Sequence, residues 1–99
     1  MFFRRKSPDE KPEISDLLAA FLCPKNKKEM FQFLRDLCTA SEIDEMAKRF
    51  AAAKMFDAGK TIREISEKTG LSTTTVSRVG QWKKNIGEGG YDLVLSRMK

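Results

Sequence analysis

The chain has 99 residues, no histidine and two cysteines, and it carries 19 Lys and Arg against 14 Asp and Glu. A chain of this length builds one modest core with little room for a deep catalytic cleft, and without histidine it lacks the commonest general base and metal ligand. These features argue against an enzyme and against a metalloprotein, while the basic excess favours a polyanionic partner.

The amino-terminal segment is unlike the rest of the chain. Residues 1–12 mix charges with two prolines and are predicted to form a disordered basic arm, followed by a single helical domain over residues 13–99. The arm has no seven-residue apolar run, so it fits neither a signal peptide nor an anchor, and no later segment has the length of a membrane span. We expect a soluble, cytoplasmic protein with no membrane partner, in which Cys23 and Cys38 are buried reduced thiols.

The first two predicted helices are apolar on more than one side. From Glu13 onward apolar residues recur every three or four positions, the spacing of an amphipathic helix, until Pro24. Pro24 is predicted to open a second helix that contains Phe31 and Phe33. Because these two rings are two residues apart, they cannot share one helical face. The second helix therefore needs apolar neighbours on two sides, which predicts an obligate homodimer.

The third helix begins with a recognisable start signal. Residues 39–42, TASE, have the form of a capping box, in which the threonine and the glutamate satisfy each other's backbone N–H groups. The helix is predicted to run to about Asp57 and to stop at Gly59. Its inward face is predicted to consist of Ile43, Met46, Phe50, Ala53 and Phe56.

The carboxyl-terminal half contains three shorter helices. A second capping box, TIRE at residues 61–64, opens a short helix that ends at Gly70. Ser72 is predicted to cap the next helix, which extends to about Asn85, and a last helix covers residues 91–98. No segment alternates with the period of a strand, so the predicted fold class is all-α with about six helices.

Residues 59–79, GKTIREISEKTGLSTTTVSRV, fit a helix-turn-helix over about residues 61–85. Gly70 tolerates the positive φ that the turn requires. The residues predicted to lock the two helices together are Ile62, Ile65, Leu71, Val76 and Val79. The residues left on the outward face of the second helix are Thr73, Thr74, Ser77, Arg78 and Gln81.

This outward face has the chemistry of a DNA reader. Small hydroxyl residues let the backbone approach a groove, donate and accept hydrogen bonds at base edges, and offer threonine methyl groups to thymine. The residues placed to meet phosphates are Lys60, Ser72, Lys83 and Lys84. We expect double-stranded DNA as the partner. A plain corner between two helices that binds nothing is the alternative interpretation of the same pattern.

Three longer stretches carry a family resemblance. TASEIDEMAKRF, TIREISEKTGLSTTTVSRV and GGYDLVLSRMK, in this order and spacing, resemble the Trp repressor superfamily, specifically its Trp-repressor-like YerC/YecD group, over about residues 14–98. The resemblance implies six helices interlocked in a two-fold homodimer, with the fourth and fifth helices reading DNA. It also implies that the operator is faced by Arg63, Thr73, Thr74, Thr75 and Ser77.

The resemblance also bears on a small ligand. Arg49 and Arg78 match the two arginines that sandwich the tryptophan corepressor in the Trp repressor. A ligand with a carboxylate and a flat ring is therefore conceivable. Val79 and Trp82 stand where the repressor has a glycine and a small serine, and their bulk argues against L-tryptophan. Arg78 thus has two competing roles, as a ligand clamp and as a DNA contact.

These patterns predict a homodimeric, sequence-specific DNA-binding transcriptional regulator, most simply a repressor that reads the major groove. The predicted modulation by a small amino-acid-like ligand depends on the two arginines. The alternative function is that of a helical dimer whose basic face binds a protein or an RNA without binding an operator. Selection of bound duplexes distinguishes the two.

Overall fold

The computed structural model describes residues 11–98, and all regular structure in that range is helical, which confirms the predicted fold class. The chain divides into two compact units, residues 1–39 and residues 40–99. The predicted basic arm falls mostly on residues 1–10, outside the described residues. The helices are α1 (Pro12–Phe21), α2 (Lys27–Leu37), α3 (Ala40–Asp57), α4 (Ile62–Thr69), α5 (Thr73–Gln81) and α6 (Gly90–Met98), with a π-helical turn (Trp82–Ile86) between α5 and α6.

The first unit contains α1 and α2 and buries none of the side chains described in it. The rings of Phe21 and Phe33 pack edge to face, with their centroids 5.5 Å apart. Phe31 lies on another side of α2 and is 56% exposed. The two phenylalanines of α2 therefore have different surroundings, as their spacing requires. Cys23 is exposed, so the prediction of a buried thiol is wrong there.

The start of α2 differs from the prediction. Pro24 precedes the helix, and Asn26 is its capping residue, because the Asn26 side-chain oxygen accepts the N–H of Glu29 at 2.9 Å. Asparagine is a strong N-cap, and its extended backbone (φ −157°) delays the helix to Lys27. The cap outweighs the preference of proline for the first helical turn.

The second unit holds every buried side chain described between residues 11 and 98. These are Ala52, Ala53, Ile65, Leu71, Val76, Val79 and Leu95, with Phe50, Met55, Phe56 and Tyr91 packed against them. Small alanines on α3 let α4 and α5 approach its carboxyl-terminal half. Met46 lies in the other half of α3 and is 43% exposed, so its predicted inward position is wrong within a single chain. In the described range, no helix is both long enough and apolar enough to span a bilayer.

Candidate nucleic-acid interface

Local hydrogen bonds fix the start of α4. The hydroxyl of Thr61 accepts the N–H of Glu64 at 3.1 Å, and the Glu64 carboxylate accepts the N–H of Thr61 at 2.9 Å, which confirms the predicted capping box. The bond from the Thr61 backbone lowers the pKa of Glu64 below its usual value. The capping box therefore fixes where α4 begins, with Thr61 as its N-cap and Ile62 as its first helical residue.

The turn after α4 is held by side chains as well as by backbone. Gly70 has φ +80°, in the left-handed region that favours glycine, and its N–H donates to the carbonyl oxygen of Ser66. The Ser66 hydroxyl donates to the carbonyl oxygen of Leu71 at 2.6 Å. Thr69 donates to Ile65 at 2.8 Å and accepts the N–H of Leu71 at 3.2 Å. These bonds join the last turn of α4 to the residues that lead into α5.

Two of the four consecutive hydroxyl residues stabilise the start of α5. The Ser72 hydroxyl accepts the N–H of Thr75 and donates to the Thr75 hydroxyl, both at 3.1 Å. Ser72 is thus the N-cap that the sequence predicts. The predicted phosphate contact of Ser72 and the operator contact of Thr75 stay predictions. Thr73 and Thr74 are exposed beside them.

An open groove of about 480 Å³ runs along α5. We call it the reader groove. All the residues predicted for the outward face of α5 line this groove, together with one residue of α4. Hydroxyl, amide and guanidinium groups therefore lie together on one exposed surface. Its lining residues are Ile62, Thr73, Thr74, Ser77, Arg78 and Gln81.

The basic residues predicted to contact DNA differ in their availability. Lys60 and Lys84 are exposed. Arg63 has its Nε 3.8 Å from a Glu67 carboxylate oxygen, but the Arg63 side chain is 88% exposed. Exposed pairs at this distance contribute little, so the Arg63 guanidinium is available to another anion.

Lys83 is in a different situation. Its side chain is 15% exposed, and its Nζ lies 2.8 Å from Asp92 on α6 and 3.3 Å from Asp57 at the end of α3. The hydrogen bond to Asp92, followed by that to Asp57, raises the pKa of Lys83. These ion pairs join three elements and favour a structural role for Lys83 over the predicted phosphate contact. Nothing in the local sequence pattern signals this role, because its partners lie on other helices.

The residues of the predicted ligand site have separate surroundings. Arg78 lines the reader groove, whereas Arg49 is exposed on α3 with its Nε 3.4 Å from a Glu45 carboxylate oxygen. Val79 belongs to the buried core. The indole of Trp82 lies against Gly87. A β-carbon added at Gly87 would be 2.5 Å from the Cδ1 atom of Trp82. The predicted pairing of the two arginines around a ligand stays a prediction.

A basic chain, a helix-turn-helix held by local hydrogen bonds and an exposed polar groove on its second helix are typical of a DNA-binding regulator. The Trp repressor protein family model matches residues 12–99. The chain therefore belongs to the Trp repressor family, within its YerC-like group, and this family consists of DNA-binding regulators rather than enzymes.

Individual relatives agree with this assignment. YerC of Bacillus subtilis (strain 168) is 38% identical over 87 residues, which cover 88% of this chain and 83% of YerC. The crystal structure of a TrpR-like protein from Eubacterium eligens ATCC 27750 matches with a TM-score of 0.85 and 39% identity, over 91% of this chain and 92% of that one. A candidate Trp repressor from Staphylococcus aureus matches with a TM-score of 0.85 and 34% identity, over 94% and 95%.

Proposed function

We propose that the protein is a homodimeric transcriptional repressor that binds a specific DNA operator by placing α5 in the major groove. The observation that carries this proposal is the reader groove, in which five polar side chains of α5 share one exposed surface. Membership of a family of helix-turn-helix regulators supports it. A repressor of this kind acts on chromosomal DNA and works in the cytoplasm.

The reader groove suits base edges. The hydroxyls of Thr73, Thr74 and Ser77 both donate and accept hydrogen bonds, so they fit the mixed pattern of the major groove. Arg78 matches the two acceptors of guanine, and Gln81 matches the donor and acceptor of adenine. Of the two roles predicted for Arg78, ligand clamp and DNA contact, this assignment favours the DNA contact.

Exposed cations around the reader groove suit phosphates. We assign the phosphate contacts to Lys60, Arg63 and Lys84, which are exposed. We leave Lys83 out, because its ammonium group already has two carboxylate partners. Ser72 and Thr75 support the reader indirectly, since their shared hydrogen bonds fix the first turn of α5.

A second copy of the chain is the partner that the exposed apolar residues require. Several large apolar side chains outside the reader groove are roughly half exposed or more, a state that costs free energy in water. They are Leu18, Leu22, Phe31 and Leu37 in the first unit, and Met46, Trp82, Ile86, Leu93, Val94 and Met98 in the second. A two-fold dimer buries such side chains and presents two reader grooves to two half-sites.

The test is selection of bound duplexes from random DNA, with and without added amino acids. We expect enrichment of palindromic sites whose half-sites are about one helical turn apart, and affinity that falls with salt. Equal affinity for all duplexes contradicts sequence-specific reading. Binding only to RNA or to a protein partner supports the alternative interaction module.

A further inference from the structure

One side chain in the reader groove is apolar. Ile62 is 40% exposed, and it lines the reader groove together with five polar or charged residues of α5. It also lines an adjoining cavity of about 550 Å³, which shares Ser77 and Gln81 with the groove. Ile62 is therefore only partly buried and lies outside the core that contains the other four residues predicted to lock the helices together.

The reason lies in where α4 meets the core. Ile62 is the first residue of the helix, and Ile65, one turn later, is fully buried. The capping box at Thr61 and Glu64 fixes the backbone on both sides of Ile62. The Ile62 side chain consequently lines the reader groove from a helix start that two hydrogen bonds hold in place. A single exposed isoleucine is ordinary on a protein surface, but this one stands inside a group of hydrogen-bonding side chains.

We propose that Ile62 contacts the C5-methyl group of a thymine at the edge of each half-site. Thymine alone among the four ordinary bases presents a methyl group in the major groove, and an aliphatic side chain favours it by excluding water from both. The contact selects thymine over cytosine at a position where no hydrogen bond is made. This inference rests on the proposed function and names a base that the reader groove selects.

The test removes single methyl groups from the DNA. In the best duplex from the selection, each thymine is replaced in turn by deoxyuridine, which keeps every hydrogen bond and lacks only the methyl group. Burial of one methyl-sized group corresponds to about fourfold in affinity. We expect one thymine per half-site whose replacement weakens binding by the native protein about fourfold, while Ile62→Ala binds the thymine and deoxyuridine duplexes equally.

Thr74→Ser is the matched control, because it removes a methyl group from α5 and keeps the hydroxyl. It should leave the thymine assigned to Ile62 fully sensitive. Ile62→Ala should keep the native circular dichroism and sedimentation, since the side chain is partly exposed. Dissociation of the dimer by Ile62→Ala overturns the proposal in favour of a subunit contact. If deoxyuridine weakens binding equally in the native protein and in Ile62→Ala, the Ile62 contact is overturned and the proposed function stands. If the native protein binds no duplex, the proposed function is overturned as well.

Discussion

The two compact units bury their side chains to different extents. Residues 40–98 enclose seven apolar side chains around the helix-turn-helix, whereas no side chain is buried in residues 11–39. The second unit, which contains the proposed DNA-binding surface, builds a core from its own helices. Both units leave large apolar side chains in water, but the described part of the first unit has no buried side chain of its own, so its stability depends more on a further surface. We therefore expect that substitutions at Phe31 in the first unit affect assembly, and that substitutions in the reader groove of the second unit affect DNA binding.

The largest effect is expected in the first unit. Phe31→Glu places a carboxylate where we propose that the second copy packs. Phe31 is 56% exposed, so association buries roughly half of a phenylalanine, about 1 to 1.5 kcal/mol, in each of two copies, and the carboxylate adds its own desolvation cost. The dimer dissociation constant should rise about 100-fold to 10,000-fold, as measured by sedimentation.

The neighbouring Gln32→Glu is the control for this substitution, because Gln32 is exposed and polar and the added charge is the same. The thermal midpoint of the native protein should also rise with protein concentration, since folding and association are linked. A folded native monomer at micromolar concentration contradicts the interlocked dimer.

The next effect concerns reading without assembly. Thr74→Glu introduces a carboxylate into the reader groove, where we propose that acceptor edges and phosphates of the DNA lie. Like charges brought together at an interface cost several kcal/mol, so binding to the operator should weaken about 100-fold or more. Fluorescence anisotropy measures the affinity, and sedimentation should show an intact dimer. Affinity equal to that of the native protein removes α5 from the interface.

A pair of adjacent lysines sharpens the comparison within the second unit. Lys83→Met leaves Asp57 and Asp92 without their shared cation and should lower the free energy of unfolding by about 1 kcal/mol. Because folding raises the pKa of Lys83, this contribution is fully present below the unfolded value of 10.5 and is lost as pH rises through the folded value. Chemical denaturation across this pH range gives the measurement.

Lys84→Met is the matched substitution in this pair. Its side chain is exposed, so stability should change little, but the salt dependence of DNA binding should lose about 0.9 units of slope for each phosphate contact removed. Lys83→Met should keep the native slope. The reverse result, with the slope lost at Lys83, restores the phosphate contact predicted from the sequence.

The smallest expected effect is that of L-tryptophan, which is none. Val79 and Trp82 stand where the family resemblance places a glycine and a small serine, so we expect their bulk to leave too little room for L-tryptophan at the site that the resemblance implies. DNA affinity should be equal with and without millimolar L-tryptophan, and calorimetry should show no binding. Micromolar binding to the native protein contradicts this prediction. Trp82→Ser is the better variant for testing whether bulk excludes the ligand, because Trp82 is exposed and its replacement leaves the core intact. Val79→Gly would also open a cavity in the core and destabilise the protein.

The sequence by itself determined the local signals of the second unit. The capping box at residues 61–64, the glycine turn at Gly70 and the cap at Ser72 are each formed as predicted. Such signals depend on residues within about four positions of one another, so the local sequence is sufficient to predict them. The same holds for the outward face of α5, which follows from helical spacing around the buried Val76 and Val79.

Only the tertiary structure decided which lysine and which isoleucine of the helix-turn-helix region are exposed to a partner. Lys83 and Lys84 look alike in the sequence, yet one is paired with a carboxylate 26 residues away and the other is exposed. Ile62 and Ile65 look alike too, and only the second reaches the core. Ion pairs and burial depend on which helices meet and how they cross, and local spacing does not contain that information.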